Sequence, residues 1–290
     1  MPSLIDLRRR IRAVKNTEKI TKAMKTVSAS KLRRAQERIL GARPFAREMQ
    51  RVLYGLSTGI DVVAHPLLAP PDPGSSASAL LVVITADKGL CGGFNSALLR
   101  RATAYAQDSD NEVALALIGR KGRDFFRRRK IDVRYEKVNI FNDLQYSHAQ
   151  AVAEMAIQQF TGNQVSSVQL LYNEFKSVIQ QDVVVEQLLP IPRLAPSEDE
   201  REVLAEYLFE PSSDQIFQTL LPRHVEVQIF RALLESAAAE HAARMTAMDA
   251  ATRNAGEMID DLTLTYNKAR QAYITKELIE IVNGAEALKG

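Results

Sequence analysis

LESAAAEHAARMTAMDAATRNAGEMIDDLTLTYNKARQAY, residues 234–273, carries a seam of mostly apolar and small side chains in 3–4 alternation. The seam runs Leu234, Ala238, His241, Met245, Met248, Thr252, Ala255, Ile259, Leu262, Tyr266, Ala269, Tyr273. A repeat of this period is the sequence form of a helix packed lengthwise on another helix. A second seam of the same period lies near the other end, at Leu32, Ala35, Ile39, Ala42, Ala46, Met49, Leu53, Leu56 and Ile60. The stretch between them reads as a different kind of domain. The expected fold is therefore α/β plus a long antiparallel coiled coil. In it the N- and C-terminal helices form a shaft on a central Rossmann-like α/β domain.

Connectivity fixes the direction of that pairing. The first helix ends where the α/β domain begins, and the last starts where it ends, so the two pack antiparallel if they pack at all. At 1.5 Å per residue they span about 85 Å and about 105 Å. The last helix should therefore project beyond the first, leaving its C-terminal turns without a partner in the chain. Alanines at 35, 42, 46, 238, 255 and 269 permit a close approach of the two helices.

The organisation along the chain is expected to be a helix over 1–62, a central domain with linkers over 63–212, and a second helix over 213–290. Ser3 suits the N-cap of the first helix and Asp6 its first turn. Its opening stripe, Leu4, Leu7, Ile11 and Val14, loses strict heptad phase between Glu18 and Lys31, and Pro44 is placed to kink it. HPLLAPPDPGSSAS (65–78) and PIPRLAPSEDERE (190–202) read as linkers. Between them ALLVVITA (79–86) and EVALALIG (112–119) are continuous apolar runs, as buried parallel strands require. Helices are expected over 94–107, 120–129 and 147–160, and strands over 131–138, 165–173 and 177–191, the last two as an antiparallel pair. The alternation of strand and helix predicts an α/β sheet, at least partly doubly wound.

Composition narrows the function classes. No stretch approaches the ~20 consecutive apolar residues that span a bilayer. The start, MPSLIDLRRRIR, lacks the apolar core and cleavage site of a secretory signal and reads as the opening of the helix. A single cysteine, Cys91, excludes an internal disulfide and fits a reducing compartment. The net charge of +3 is unevenly spread: +11 over residues 1–60, −5 over 61–212 and −3 over 213–290. The basic arm is expected to meet an acidic surface.

The chemistry-bearing motifs are few. TADKGLCGGFN (85–95) follows a buried strand and precedes a helix, where nucleotide-binding folds place a phosphate loop. It lacks GxxxxGK[ST] and does not fit GxGxxG, and the plainer reading is a tight turn using glycine at positive φ. Cys91 there reads as a small buried thiol, and His241, on the seam, as a packed side chain. No metal cluster, triad or paired carboxylate stands out, and no cofactor is expected. Two basic runs stand out, Arg8, Arg9, Arg10, Arg12, Lys15, Lys19, Lys22 and Lys25 on the first helix and Arg127–Lys130. Residues 1–44 hold no aromatic, so the first has no stacking platform, and solvated faces or contacts with an acidic protein surface are favoured over nucleic acid.

Two stretches at the ends are more specific. ITKAMKTVSASKLRRAQ (20–36) and YNKARQAYITKELIEIVNGAEAL (266–288) closely resemble the gamma-subunit family of F-type ATP synthases. ITKELIEIVNGAEA (274–287) fits that family's C-terminal signature, and TADKGLCGGFN its first strand-to-helix loop. The resemblance covers essentially the whole chain. It implies the central rotor stalk of a proton-translocating ATP synthase, a non-catalytic subunit turning inside a ring of three alpha and three beta subunits. The epsilon subunit and the c-ring would be its other partners, and its place the cytoplasmic side of a bacterial plasma membrane, peripherally held. By the same resemblance Arg244, Arg270, Gln271, Thr275 and Glu280 would contact the beta ring. Leu278, Ile281 and Val282 would sit in an apolar sleeve, and Met24 and Lys25 would face an acidic lever of a beta subunit. The short, cysteine-free stretch at 190–212 departs from the photosynthetic members, which carry an insertion there. Two other readings predict different behaviour: a static coiled-coil scaffold, and a nucleotide-binding enzyme using the loop at 89–93.

Overall fold

The computed structural model describes residues 3–57, 65–69, 78–109, 112–192 and 213–287. Most of both linkers, the boundaries at 62–63 and 212, the seam position Ile60 and the side chain of Leu56 lie outside the described residues. The chain divides into two compact units, one of residues 1–28 with 245–290 and the other of residues 29–244. Helix α1 runs Leu4–Ser57 and stays helical through Pro44. Helix α5 runs Ser213–Ala287 and stays helical through Pro222.

In the first unit, α1 and α5 lie antiparallel. Lys25 Nζ meets Asp249 Oδ1 at 2.5 Å, Thr252 Oγ1 donates to Thr21 Oγ1 at 2.8 Å, and Arg8 Nη2 donates to Tyr266 OH at 2.8 Å. Rising numbers on α1 therefore meet falling numbers on α5. Ser3 Oγ accepts from the Asp6 amide at 3.1 Å, the N-cap expected there. The covered positions of α1 run Leu4, Leu7, Ile11, Val14, Glu18, Thr21, Met24, Ser28 and Leu32, so the strict 3–4 alternation gives way to steps of 3, 3, 4 and 4 after Glu18, within the stretch where a loss of phase is expected. Glu18, Thr21 and Ser28 put polar side chains at covered positions there.

The second unit is built on a five-stranded sheet: β1 (Ala79–Ile84), β2 (Val113–Ile118), β3 (Val133–Lys137), β4 (Ser167–Phe175) and β5 (Gln181–Leu189). Its order is β3-β2-β1-β4-β5, parallel except for β5, which pairs antiparallel with β4. The expected antiparallel closing pair is thus present. Every residue of β1 is buried, and β2 nearly so, because both faces are covered, as their unbroken apolar runs require. The crossovers are α2 (Phe94–Asp108), α3 (Arg120–Phe126) and α4 (Tyr146–Thr161), the last preceded by a 3-10 turn at Ile140–Asn142. Strand order reverses between β1 and β4. In open α/β sheets the crevice beyond the carboxyl ends of the strands at such a point is the usual ligand site. Gly119 turns the chain from β2 into α3 at φ +92, and a Cβ there would fall 2.0 Å from the Thr85 carbonyl oxygen, so only glycine fits.

Candidate functional site

The motifs read from the sequence lead to two places: the free end of α5 and the loop that leaves β1. At the free end, every side chain from Arg270 to Glu286 is exposed. Arg8, one turn into α1, already meets Tyr266, so the turns of α5 beyond Arg270 run past the start of α1 and have no partner among the described residues. Exposure here includes large apolar groups: Ile274 47%, Leu278 57%, Ile281 67% and Val282 59%. At 100° per residue these four fall within about a third of the helix circumference, one narrow stripe. Lys276 and Glu280 lie on the opposite side and Glu277 on the flank, and Lys276 approaches Glu280 at 3.6 Å, an exposed pair that contributes little. Thr275 Oγ1 donates to the Gln271 backbone carbonyl at 2.9 Å, and the Arg270 and Gln271 side chains are exposed. The arrangement is a narrow apolar ridge with polar flanks, the form a helix takes when it docks in a sleeve or groove.

The resemblance-based site residues separate into three environments. Arg270, Gln271, Thr275, Leu278, Glu280, Ile281 and Val282 share the free end. Met24 is half-buried and Lys25 is held by Asp249, both in the helix pair. Asp249 lies below its ordinary pKa because the Lys25 ammonium hydrogen-bonds it. Arg244 differs from all of these. It is 8% exposed and its guanidinium is engaged inside the chain, with Nη2 donating to Glu240 Oε1 at 2.6 Å and to the Gly89 carbonyl at 3.1 Å.

That engagement defines the second place. The loop 85–93 is a tight turn of two left-handed residues, Leu90 at φ 60 and Gly92 at φ 55. Glycine at positive φ was expected; leucine there was not. The Asp87 carboxylate accepts from the backbone amides of Arg120 and Asn139 at 3.0 and 2.8 Å, tying the loop to the next two turns. Cys91 is buried, accepts from Asn95 Nδ2 at 3.2 Å, and its thiol is pushed up by burial. Helix α5 lies across the place where a nucleotide would enter. Ala239 is fully buried in one cluster with Leu81, Val83, Cys91 and Phe94, and Glu235 Oε2 accepts from the Phe175 amide at 3.1 Å. The ligand crevice of the doubly wound sheet is thus filled by the chain's own helix. Sequence reading missed Glu240 and Asp87. The i, i+4 spacing of Glu240 to Arg244 was the available signal; the tie of Arg244 to Gly89 spans 155 residues and left none.

His241 is half-buried on the seam as expected, and its pKa is lowered to about 4, first by burial and then by Arg244, Lys31 and Lys88. No helix among the described residues is long and apolar enough to cross a membrane.

A family model described as ATP synthase matches residues 3–288. The ATP synthase gamma chain of Anaeromyxobacter sp. (strain Fw109-5) is 50% identical over 295 residues, covering all of both chains. Among solved structures, a chain of the central stalk and c-ring of the Tetrahymena thermophila mitochondrial ATP synthase aligns with a TM-score of 0.60 at 27% identity. It covers 80% of this chain and 99% of that one. A chain from the OSCP/F1/c-ring of the Euglena gracilis enzyme aligns at TM-score 0.67 and 20% identity over 98% and 94%, a likeness of fold.

Proposed function

The chain belongs to the ATP synthase gamma-chain family, and from that premise we propose how its two long helices serve as the central stalk of the rotary motor. The subunit is non-catalytic; ATP is made or hydrolysed on other subunits of the complex. The free end of α5 is the bearing. Its ridge of Ile274, Leu278, Ile281 and Val282 seats in an apolar sleeve at the top of the ring of three alpha and three beta subunits, while Arg270, Gln271, Thr275 and Glu280 contact the beta subunits below the sleeve. Met24 and Lys25 meet an acidic lever of a beta subunit. Rotation driven by proton flow through the c-ring presents different faces of this stalk to each beta subunit in turn. The epsilon subunit and the c-ring hold the other end, and the chain lies peripherally on the cytoplasmic side of a bacterial plasma membrane. Arg244, being tied to Glu240 and Gly89, acts by holding the loop after β1 on α5.

The observation that carries this reading is the exposed apolar ridge on a helix that has outrun its partner. Water-exposed Ile, Leu and Val at i, i+4, i+7 and i+8 are stabilised by a complementary apolar surface. The test is co-expression of the chain with its own alpha and beta subunits. The expected product holds one copy per three alpha–beta pairs and hydrolyses ATP. The L278K/I281K double substitution should leave the isolated chain folded and lower recovery of the complex or its coupling at least tenfold. Equal recovery and coupling would refute the bearing. The nucleotide-binding reading makes a separate demand, saturable nucleotide binding at the loop that G92V abolishes, and α5 filling the crevice argues against it.

A further inference from the structure

Within the second unit, a half-open cavity of about 430 Å³ lies between α1, α5 and the turn following β3. Lys31, Arg34 and Arg38 line it from α1. Their spacing of three and four residues stacks them on one helix face. Arg38 Nη1 is committed to the Leu144 carbonyl at 3.2 Å. Lys31 and Arg34 make no hydrogen bond or ion pair among the described residues. The two carboxylates on the lining are already engaged, Glu37 Oε1 by Arg33 Nε at 3.0 Å and Asp143 Oδ2 by Gln145 Nε2 at 2.8 Å.

His241 completes the wall, and its Nδ1 is buried without a hydrogen-bond partner. A buried polar nitrogen left alone costs free energy that a bound acceptor would recover. The imidazole is neutral near pH 7, because burial and the facing charges of Arg244, Lys31 and Lys88 suppress its protonation. With its proton on Nδ1 it donates one hydrogen bond without bringing a further charge. Two uncommitted cations and one uncommitted donor around a cavity of this size suit an oxyanion: an arginine fork matches tetrahedral oxygens, and the volume lies in the range of small-molecule sites.

We propose that this cavity binds a phosphate group, free or carried by a nucleotide, through Lys31, Arg34 and the Nδ1–H of His241. The site is independent of the stalk reading. It is separate from the crevice beyond β1, and none of its side chains belongs to the free end of α5.

Equilibrium dialysis of radiolabelled inorganic phosphate against the full chain, at fixed ionic strength near pH 7, tests it. One saturable site per chain is expected. R34A and H241F should each weaken it about tenfold or more, the scale of one hydrogen bond to a charged group. K22A removes an equal charge from an exposed position of α1 outside the cavity lining and should change affinity less than twofold. If K22A weakens binding as much as R34A, the cations are only a screening patch and the proposal fails. It fails also if H241F, with an unchanged melting curve, binds like the parent, if uptake never saturates, or if acetate displaces phosphate as well as phosphate does. K31M replaces H241F should the latter not fold, with the same tenfold loss expected. ADP competing more tightly than phosphate assigns the group to a nucleotide; weaker competition assigns it to the free ion; either keeps the site.

Discussion

Glu240 and Arg244 form an ion pair with side-chain exposures of 6% and 10%, and this pair holds one end of the loop after β1. Taking both charges out of water costs several kcal/mol, which their contact offsets only while both are present. R244M leaves Glu240 buried and alone and is expected to destabilise the chain by about 3–5 kcal/mol. The double variant E240Q/R244M should recover part of that loss. Urea unfolding of the four corners of the cycle gives the coupling, and a coupling near zero would mean that the pair is only a bystander to the loop. His224 and His241 add a pH dependence. Both have pKa values lowered to about 4, His224 by burial and then Arg231. A folded pKa below the unfolded value of about 6.5 means that the unfolded chain binds the proton more readily. The stability from the neutral imidazoles is thus present above about pH 6.5 and is lost as pH falls toward 4. At 1.36 kcal/mol per pKa unit the loss approaches about 3 kcal/mol for each residue by pH 4. H224Q should therefore lose less stability than the parent between pH 7 and 4.5; an identical acid loss in both proteins would refute the assignment.

At the scale of elements, the seams were legible because a 3–4 alternation in a long segment has few other solutions, and every seam position from Leu234 to Ala269 and from Leu32 to Leu53 except His241 and Thr252 carries a hydrophobic side chain that needs only packing to explain it. The continuous apolar runs of β1 and β2 were legible for the same reason: strands covered on both faces cannot alternate. What escaped was that this stretch of α1, where the phase shifts, stays packed through polar side chains: Thr21 and Ser28 are 7% and 3% exposed. Its chemistry makes a prediction. Thr252 Oγ1 and Thr21 Oγ1 meet at 2.8 Å, yet each also lies within hydrogen-bond range of a carbonyl on its own helix, Met248 and Glu18. Replacing both partners of such a pair by shape-matched apolar groups is nearly neutral or stabilising. T21V/T252V should therefore hold or raise stability by up to about 1 kcal/mol, read as the thermal midpoint of the full chain. A loss of more than about 1 kcal/mol would show that the hydroxyl pair is needed to hold the two helices in register.

At the scale of the whole molecule, charge is partitioned along the sequence and the partition was readable directly. Residues 1–60 carry +11, against −5 and −3 for the two segments that follow. The filling of the sheet crevice by α5 was not readable, because it joins residues at opposite ends of the chain through packing that no local pattern announces. Charge excess matters for association more than for folding, since exposed ion pairs such as Lys25–Asp249 are worth little to stability. A strongly positive arm approaching an acidic ring should raise the association rate at low salt and lose that advantage as the screening length falls from about 10 Å at 0.1 M to about 3 Å at 1 M. The apolar ridge of Leu278 and Ile281 should instead govern how slowly the complex comes apart, because buried apolar contact is screened little by salt. Stopped-flow assembly of the full chain onto its alpha–beta partners separates the two. Exchanging Arg9, Arg10 and Arg12 for glutamine is expected to lower the association rate several-fold at low salt and to flatten its salt dependence, while leaving dissociation nearly unchanged. L278K/I281K should do the reverse. If the glutamine variant dissociates faster but associates at the parental rate at every salt concentration, the basic arm makes short-range contacts and does not steer.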